Sequence, residues 1–190
     1  EARFFAHKAE FQRRDHGISV RMEITVAPHD DVEIRRITLT NHSDRPRRLL
    51  LTSYGEVVLA PQSADRRHPA FNKLFVESES LPELNALLFH RRPRLAEEEP
   101  IYLAHLLVVG QGNEVTGAHE CDRARFLGRG RTVRMPTALD PTCSRFHTST
   151  PGRRLSGTTG ATLDPIMALG QEIELEPHAT AQVAYLTLAA

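Results

Sequence analysis

The stretch "ISVRMEITV", residues 18–26, alternates apolar and polar side chains without a break. Ile18, Val20, Met22, Ile24 and Val26 share one parity, and Ser19, Arg21, Glu23 and Thr25 share the other. Successive side chains of an extended chain point to opposite faces. This period of two therefore predicts a strand with one face on a core and one in water. The same period recurs along most of the chain and points to an all-β, antiparallel fold.

The neighbouring segments carry variations on that pattern. In "VEIRRITLT", Val32 and Ile34 lie on one parity, while Ile37 and Leu39 lie on the other. A slip at Arg35-Arg36 predicts a β-bulge that returns all four to one face. "NHSDRP" is a turn cluster. Its Asn41-His42-Ser43 also matches a glycosylation sequon, but no secretory signal accompanies it and the turn reading is preferred. "RRLLLTSYGEVVLA" is more continuously apolar, which predicts a strand inside a packed sheet. "KLFVESE", "NALLFHR" and "IYLAHLLVVG" read as further strands. "QEIELEPHATAQVAYLTLA" reads as two strands about a Pro-His-Ala-Thr turn, and only "CDRARFLG" has a helical character. About ten strands at short spacing, with very little helix, predict an antiparallel sandwich of two sheets.

Length and charge bound the rest. A chain of 190 residues suits one domain, so residues 1–190 are expected to form a single β-sandwich. Lys plus Arg and Asp plus Glu both number 24. No global field then favours nucleic acid or an anionic membrane, and contact with neither is expected. No apolar run approaches the roughly 18 residues of a membrane span, and no signal peptide is present. The chain opens "EARFFAHKAEF", without Met and already strand-like. It is therefore expected to be a fragment of a larger multidomain enzyme. Cys121 and Cys143 form no framework. They read as reduced thiols in a cytoplasmic setting, with a single disulfide between them left open.

Signals for autonomous chemistry are weak. "VVGQGNEVTG" sets Gly110 and Gly112 after an apolar strand, but Val115 stands where a dinucleotide fingerprint needs its third glycine. A hairpin turn accounts for it better. "FLGRGR" lacks the Gly-Lys-Ser/Thr ending of a phosphate-cradling loop. Ten histidines form no HExxH or HxH pair, so no metal site is predicted. No Gly-x-Ser-x-Gly elbow is present. Glu97, Glu98 and Glu99 read as a solvated charge run. No catalytic residue and no cofactor are predicted.

Between strand-like runs lies "SADRRHPAFNKLFVESE", dense in hydrogen-bonding groups. This loop carries a resemblance. "DVEIRRITLTNHSDRPRRLLLTSYGEVVLA" followed by "HPAFNKLFVESE" resembles the N-terminal sandwich of the glycoside phosphorylases that include cellobiose and chitobiose phosphorylase. "RARFLGRGR", Pro136 and "LDPIMALGQEIELEP" fit the same family in the same order. The likeness is closest to the phosphorylase-like region of bacterial cyclic β-1,2-glucan synthases, large membrane enzymes, and covers the chain from about Phe4 to Ala190.

The resemblance implies a galactose-mutarotase-like supersandwich that precedes an (α/α)6 catalytic barrel in the same polypeptide. The general acid and main phosphate site would lie in that barrel, so this chain is expected to be non-catalytic. It is also expected to be a cytoplasmic domain of a bacterial inner-membrane protein. Loops of the sandwich would approach the barrel mouth, and a homodimer is a further partner implied. Arg66, Arg67, His68, Asn72 and Lys73 would then offer donors to a β-glucan or gluco-oligosaccharide, and Phe71 an apolar face. The alternative is that Phe71 anchors the core while Arg66 and Arg67 are solvated. Arg125, Phe126, Gly128 and Arg129 are the second candidate group, with a structural interface to linker or barrel as their alternative.

The chain has no Trp and three Tyr, whereas glycan-binding modules lean on exposed aromatic platforms. Tyr54 and Tyr185 lie within strand patterns and are expected to be buried. Weak intrinsic affinity is expected, with the domain acting as scaffold and rim. Two alternatives stand beside it. One is an autonomous glycan-binding module. The other is a mutarotase-like epimerase, which needs a histidine and a carboxylate in one cleft, with His68, His90 and His105 the candidates.

Overall fold

The structure is a computed structural model, and it describes residues 1–95, 97–110, 115–140 and 155–190. Thirteen strands are present among them. They are β1 (Ala2–Phe4), β2 (Ala9–Asp15), β3 (Ile18–Val26), β4 (Val32–Asn41), β5 (Arg47–Thr52), β6 (Gly55–Glu56) and β7 (Val76–Leu81), followed by β8 (Ala86–Arg91), β9 (Ile101–Val109), β10 (Ala118–Asp122), β11 (Gly160–Ala161), β12 (Pro165–Leu175) and β13 (Thr180–Ala189). Three short α-helices, α1 (Gln62–Arg67), α2 (Pro69–Lys73) and α3 (Arg123–Leu127), and two 3-10 turns, Pro82–Leu84 and Thr137–Leu139, complete the set among the described residues.

Nine strands form one antiparallel sheet in the order β1-β2-β3-β4-β13-β9-β8-β7-β11. A smaller sheet runs β10-β12-β5, with β6 also paired to β12. The two pack face to face, as the period-two pattern requires. From the large sheet Ile37, Leu39, Leu87, Phe89, Leu107, Val183 and Tyr185 enter the shared core. The smaller sheet contributes Leu169, Ile173 and Leu175, with Val57 and Leu59 beside them.

A third layer covers the far side of the smaller sheet. Phe126 and Leu127 of α3 cluster there with Ala118, Ala138, Leu155, Ile166 and Ala168. Strand β12 is therefore buried on both faces, and this explains why "PIMALG" lacks polar alternation.

Three local expectations are corrected. No bulge interrupts β4, whose register with β3 and with β13 is continuous. Ile37 and Leu39 face the inter-sheet core, while Ile34 sits on the opposite face beside His7, Thr25 and Arg36. The two parities carry apolar groups for two different surfaces. "RRLLLT" forms β5, an edge strand that pairs with β12 alone, and β12 is the strand enclosed on both sides. The Gly110 segment is not a hairpin, because β9 lies in the large sheet and β10 in the smaller one. Gly112 lies outside the described residues.

The sequon is a turn. Asn41 is fully buried. Its Nδ2 donates to the carbonyls of Arg45 at 2.8 Å, Glu176 at 3.1 Å and Leu175 at 3.3 Å. Its Oδ1 accepts from Ser43 N at 3.0 Å and Ser43 Oγ at 2.7 Å. Cys121 is buried, and burial pushes its thiol up to about 12, which makes it inert. Cys143 lies outside the described residues.

Candidate functional site

The polar segment from Ser63 to Lys73 is a pair of short helices rather than a loop. Pro69 opens α2 at a position where a missing N–H costs nothing. Asn72 is buried, and its Nδ2 donates to the carbonyls of Ala64 at 2.8 Å and His68 at 3.0 Å. Those two bonds stitch α2 to α1. The Asn72 amide is committed to the backbone, so its assignment as a sugar donor is corrected.

Phe71 is 46% exposed and meets Phe75 edge-on with ring centroids 5.2 Å apart. The Arg94 guanidinium lies over both rings, at 5.1 Å and 5.3 Å from their centroids. Its contact covers part of the face that a pyranose would use. Arg66, Arg67 and His68 are exposed, and the two arginines make no ion pair among the described residues.

Helix α3 is set by its cap. Asp122 accepts from Ala124 N at 2.8 Å and Arg125 N at 3.4 Å, which satisfies two of the helix's free donors. Gly128 ends it at φ +77°, and a Cβ there would collide with Thr137. Phe126 is 2% exposed and packs on Tyr54 at 5.2 Å. It belongs to the core, and its place among sugar contacts is corrected. Arg125 and Arg129 are exposed, the former 3.9 Å from Asp122.

One carboxylate brings the two predicted segments together. Asp164 lies 2.5 Å from Lys73 Nζ on α2 and 3.6 Å from Arg123 Nη1 on α3. Arg123 Nε in turn donates to Glu56 at 2.9 Å, and the Tyr54 hydroxyl donates to Glu56 at 3.1 Å. Lys73 thus holds the edge together and does not point free into solvent. Asp164, Arg123, Glu56 and Tyr54 were not singled out by sequence reasoning. Tyr54 and Glu56 lie two residues apart in sequence, but only the fold brings Arg123 to Glu56 and Asp164 to Arg123.

The three histidines behave differently. His68 joins α1 to α2 on the surface. His105 is buried between the sheets, with Nδ1 3.0 Å from Thr187 Oγ1 and Nε2 2.9 Å from Ser53 Oγ. Its ring stacks on Tyr185 at 5.6 Å, and burial lowers its pKa to about 4. Among the described residues no carboxylate hydrogen-bonds to it. His90 lies 3.5 Å from Glu77, but on an exposed sheet face.

Two hollows indent the outer face of the large sheet. One, of about 370 Å³, is lined by His7, Lys8, Glu23, Thr25, Ile34 and Arg36. The other, of about 630 Å³, includes Gln12, Arg14, Ser19, Arg21, Thr38 and Thr40. Beneath the first runs a salt-bridge network. Glu23, 7% exposed, lies 2.5 Å from Lys8 Nζ, 2.5 Å from Arg36 Nη2 and 3.3 Å from Arg21 Nη2. The hydrogen bonds from Lys8 and then Arg36 hold its carboxyl down at about 2. No group of three or more metal-ligating side chains occurs among the described residues. No helix among them is long and apolar enough to cross a membrane.

Comparison with known proteins gives the family of the chain. A family model described as the supersandwich domain of glycosyl hydrolase 94 matches residues 1–190. The chain is 36% identical over 188 residues to the cyclic β-(1,2)-glucan synthase NdvB of Rhizobium meliloti. That match covers 99% of this chain and 6% of the relative, so the chain spans a small part of that protein's length. Among solved structures, the polysaccharide lyase BACCELL_00875 aligns at TM-score 0.49 with 11% identity, covering 96% of this chain and 21% of that one. A protein described as "Putative kojibiose phosphorylase from human microbiome" aligns at TM-score 0.47 with 8% identity, covering 96% of this chain and 17% of that one.

Proposed function

The chain belongs to the supersandwich domain family of glycosyl hydrolase 94, and from that premise we propose that it is a non-catalytic scaffold and carbohydrate-contacting domain of a cyclic β-1,2-glucan synthase or related glycoside phosphorylase. Its partners on this reading are a β-glucan and an (α/α)6 catalytic barrel of the same polypeptide, with dimer formation as a further contact. The parent protein would sit at the bacterial inner membrane with this domain in the cytoplasm.

The observation that carries the reading is the Asp164 clamp. By pairing with Lys73 and Arg123, it joins α2 and α3 into one edge. Along these elements Arg66, Arg67, Arg125 and Arg129 are exposed, as is Phe71. An edge ordered before contact loses little side-chain freedom on docking, which favours a rim over a flexible loop. Arginine forks suit carboxylates of a partner domain and vicinal hydroxyls of a glucan equally. The buried His105, bonded to two hydroxyls and no carboxylate, argues against an epimerase.

The test is a full-length synthase carrying Arg66→Ala, Arg67→Ala and Arg125→Ala together. Product formation should fall, with each lost interfacial arginine costing about 1–2 kcal/mol, while the unfolding transition of the domain stays in place. Unchanged product formation would rule out a working rim.

A further inference from the structure

One cluster on the outer face of the large sheet is not used by the rim. Glu77 on β7, His90 on β8 and Tyr102 on β9 form a single cross-strand row, Glu77 paired with His90 and His90 with Tyr102. Their strand neighbours Val76, Ser78, Phe89 and Arg91 are buried. Alternation therefore turns the three side chains outward. Tyr102 is 40% exposed, and its ring lies 6.2 Å from the His90 imidazole with the planes 31° apart. The Glu77 carboxylate lies 3.5 Å from His90 Nε2 and 2.9 Å from Arg92 Nε.

The geometry points to a surface subsite for a neutral gluco-oligosaccharide across β7, β8 and β9, with Tyr102 and His90 as its platform and Glu77 with Arg92 as its polar clamp. The choice of ligand rests on the carbohydrate-contacting reading above; the placement of the site does not.

Four features converge. An exposed aromatic face removes the apolar C–H surface of a pyranose from water, and Tyr102 is the one tyrosine that offers it. Tyr185 is buried in the core and Tyr54 packs on Phe126. At the rim, by contrast, the Phe71 ring is overlaid by Arg94. A carboxylate only accepts and a guanidinium only donates, so Glu77 and Arg92 together match a hydroxyl pair that does both. Their mutual pairing fixes both side chains before a ligand arrives. It also cancels the local charge, which disfavours phosphate or an acidic polymer. Adjacent strands lie about 4.8 Å apart, so the row from Glu77 to Tyr102 spans about 10 Å. That is longer than one pyranose and suits two linked residues.

The experiment is an NMR titration of the isotope-labelled chain with β-1,2-linked gluco-oligosaccharides into the tens of millimolar range, following the Tyr102 and His90 ring signals. Shifts should centre on Glu77, His90 and Tyr102. Tyr102→Ala should weaken binding about tenfold, Tyr102→Phe should retain it, and Glu77→Gln should weaken it less than Tyr102→Ala. The control Arg13→Ala, on β2 near the opposite edge of the large sheet, should bind like wild type. Absent ring shifts, or wild-type affinity in Tyr102→Ala, would overturn the subsite. If instead Tyr102→Ala binds like wild type and only Arg66→Ala with Arg67→Ala loses binding, the rim reading stands and the subsite falls.

Discussion

Replacing Glu23 by Gln removes a charge at the centre of the Lys8–Glu10–Arg21–Arg36 network while keeping the side chain's shape. A carboxyl held at about 2 against an ordinary 4.5 corresponds to about 3 kcal/mol of preferential stabilisation of the ionised form. The side chains of Lys8, Arg21 and Arg36 are 23%, 47% and 56% exposed. Solvent screening at those partners cuts the figure to about 1–2 kcal/mol. The sign follows from the lowered value. Below 4.5 the unfolded chain takes up the proton first, so the stabilisation is complete above that pH and fades as pH falls towards 2. Urea unfolding of both proteins at pH 7, 5, 4 and 3 measures the effect. The Gln variant should have the lower midpoint at pH 7 by the equivalent of about 1–2 kcal/mol, at unchanged slope. The gap should narrow between pH 4.5 and 3. A gap independent of pH would show that the charge of Glu23 is not what stabilises the fold, and no gap at all would show that the network contributes nothing to stability.

Two further outcomes follow from buried groups. His105, lowered to about 4 by burial and then by Arg35, should draw stability from the fold as pH drops from 6.5 towards 4, by about 2–3 kcal/mol. Urea unfolding across that range should show this slope in wild type and lose it in His105→Gln. Phe126→Ala should cost about 3–5 kcal/mol by opening a cavity under α3, read as a fall in the denaturant midpoint; a loss below 1 kcal/mol would place the ring outside the core.

How much of this was legible in the residues can be seen strand by strand. "ISVRMEITV" appears as β3 with Ile18, Val20 and Met22 against the core, because a half-buried strand obeys the period of two. "QEIELEPHATAQVAYLTLA" likewise forms the end of β12, a turn and β13. The expected bulge at Arg35-Arg36 failed because parity was read against one buried surface, while β4 serves two. "RRLLLT" was expected inside the sheet and lies at its edge, because a continuous apolar run does not reveal which strand is flanked on both sides. The helix pair at residues 62–73 was invisible to periodicity, since neither helix is long enough to show one. Its signal was Pro69 at a helix start, four residues after Asp65. Asn72 and Phe126 looked available because burial of a polar amide or a lone aromatic depends on contacts distant in sequence. The row of Glu77, His90 and Tyr102 could not be seen at all, because strand register alone aligns it.

The place of β13 in the large sheet bears on how the chain reaches its fold. This strand is last in chain order, yet it lies between β4 and β9, with Leu39 opposite Ala181 and Val109 opposite Val183. The N-terminal meander β1–β4 and the β7–β9 meander are local hairpins that can assemble early. Neither can meet the other until residues 180–189 have left the ribosome. Pairings that span so much sequence slow folding and leave edges bare in the interval. A partly synthesised chain would thus hold two half-sheets with open flanks at β4 and β9. Strand β13 is therefore the keystone of the large sheet, and a chain cut before Thr180 would lose the strand that unites its halves.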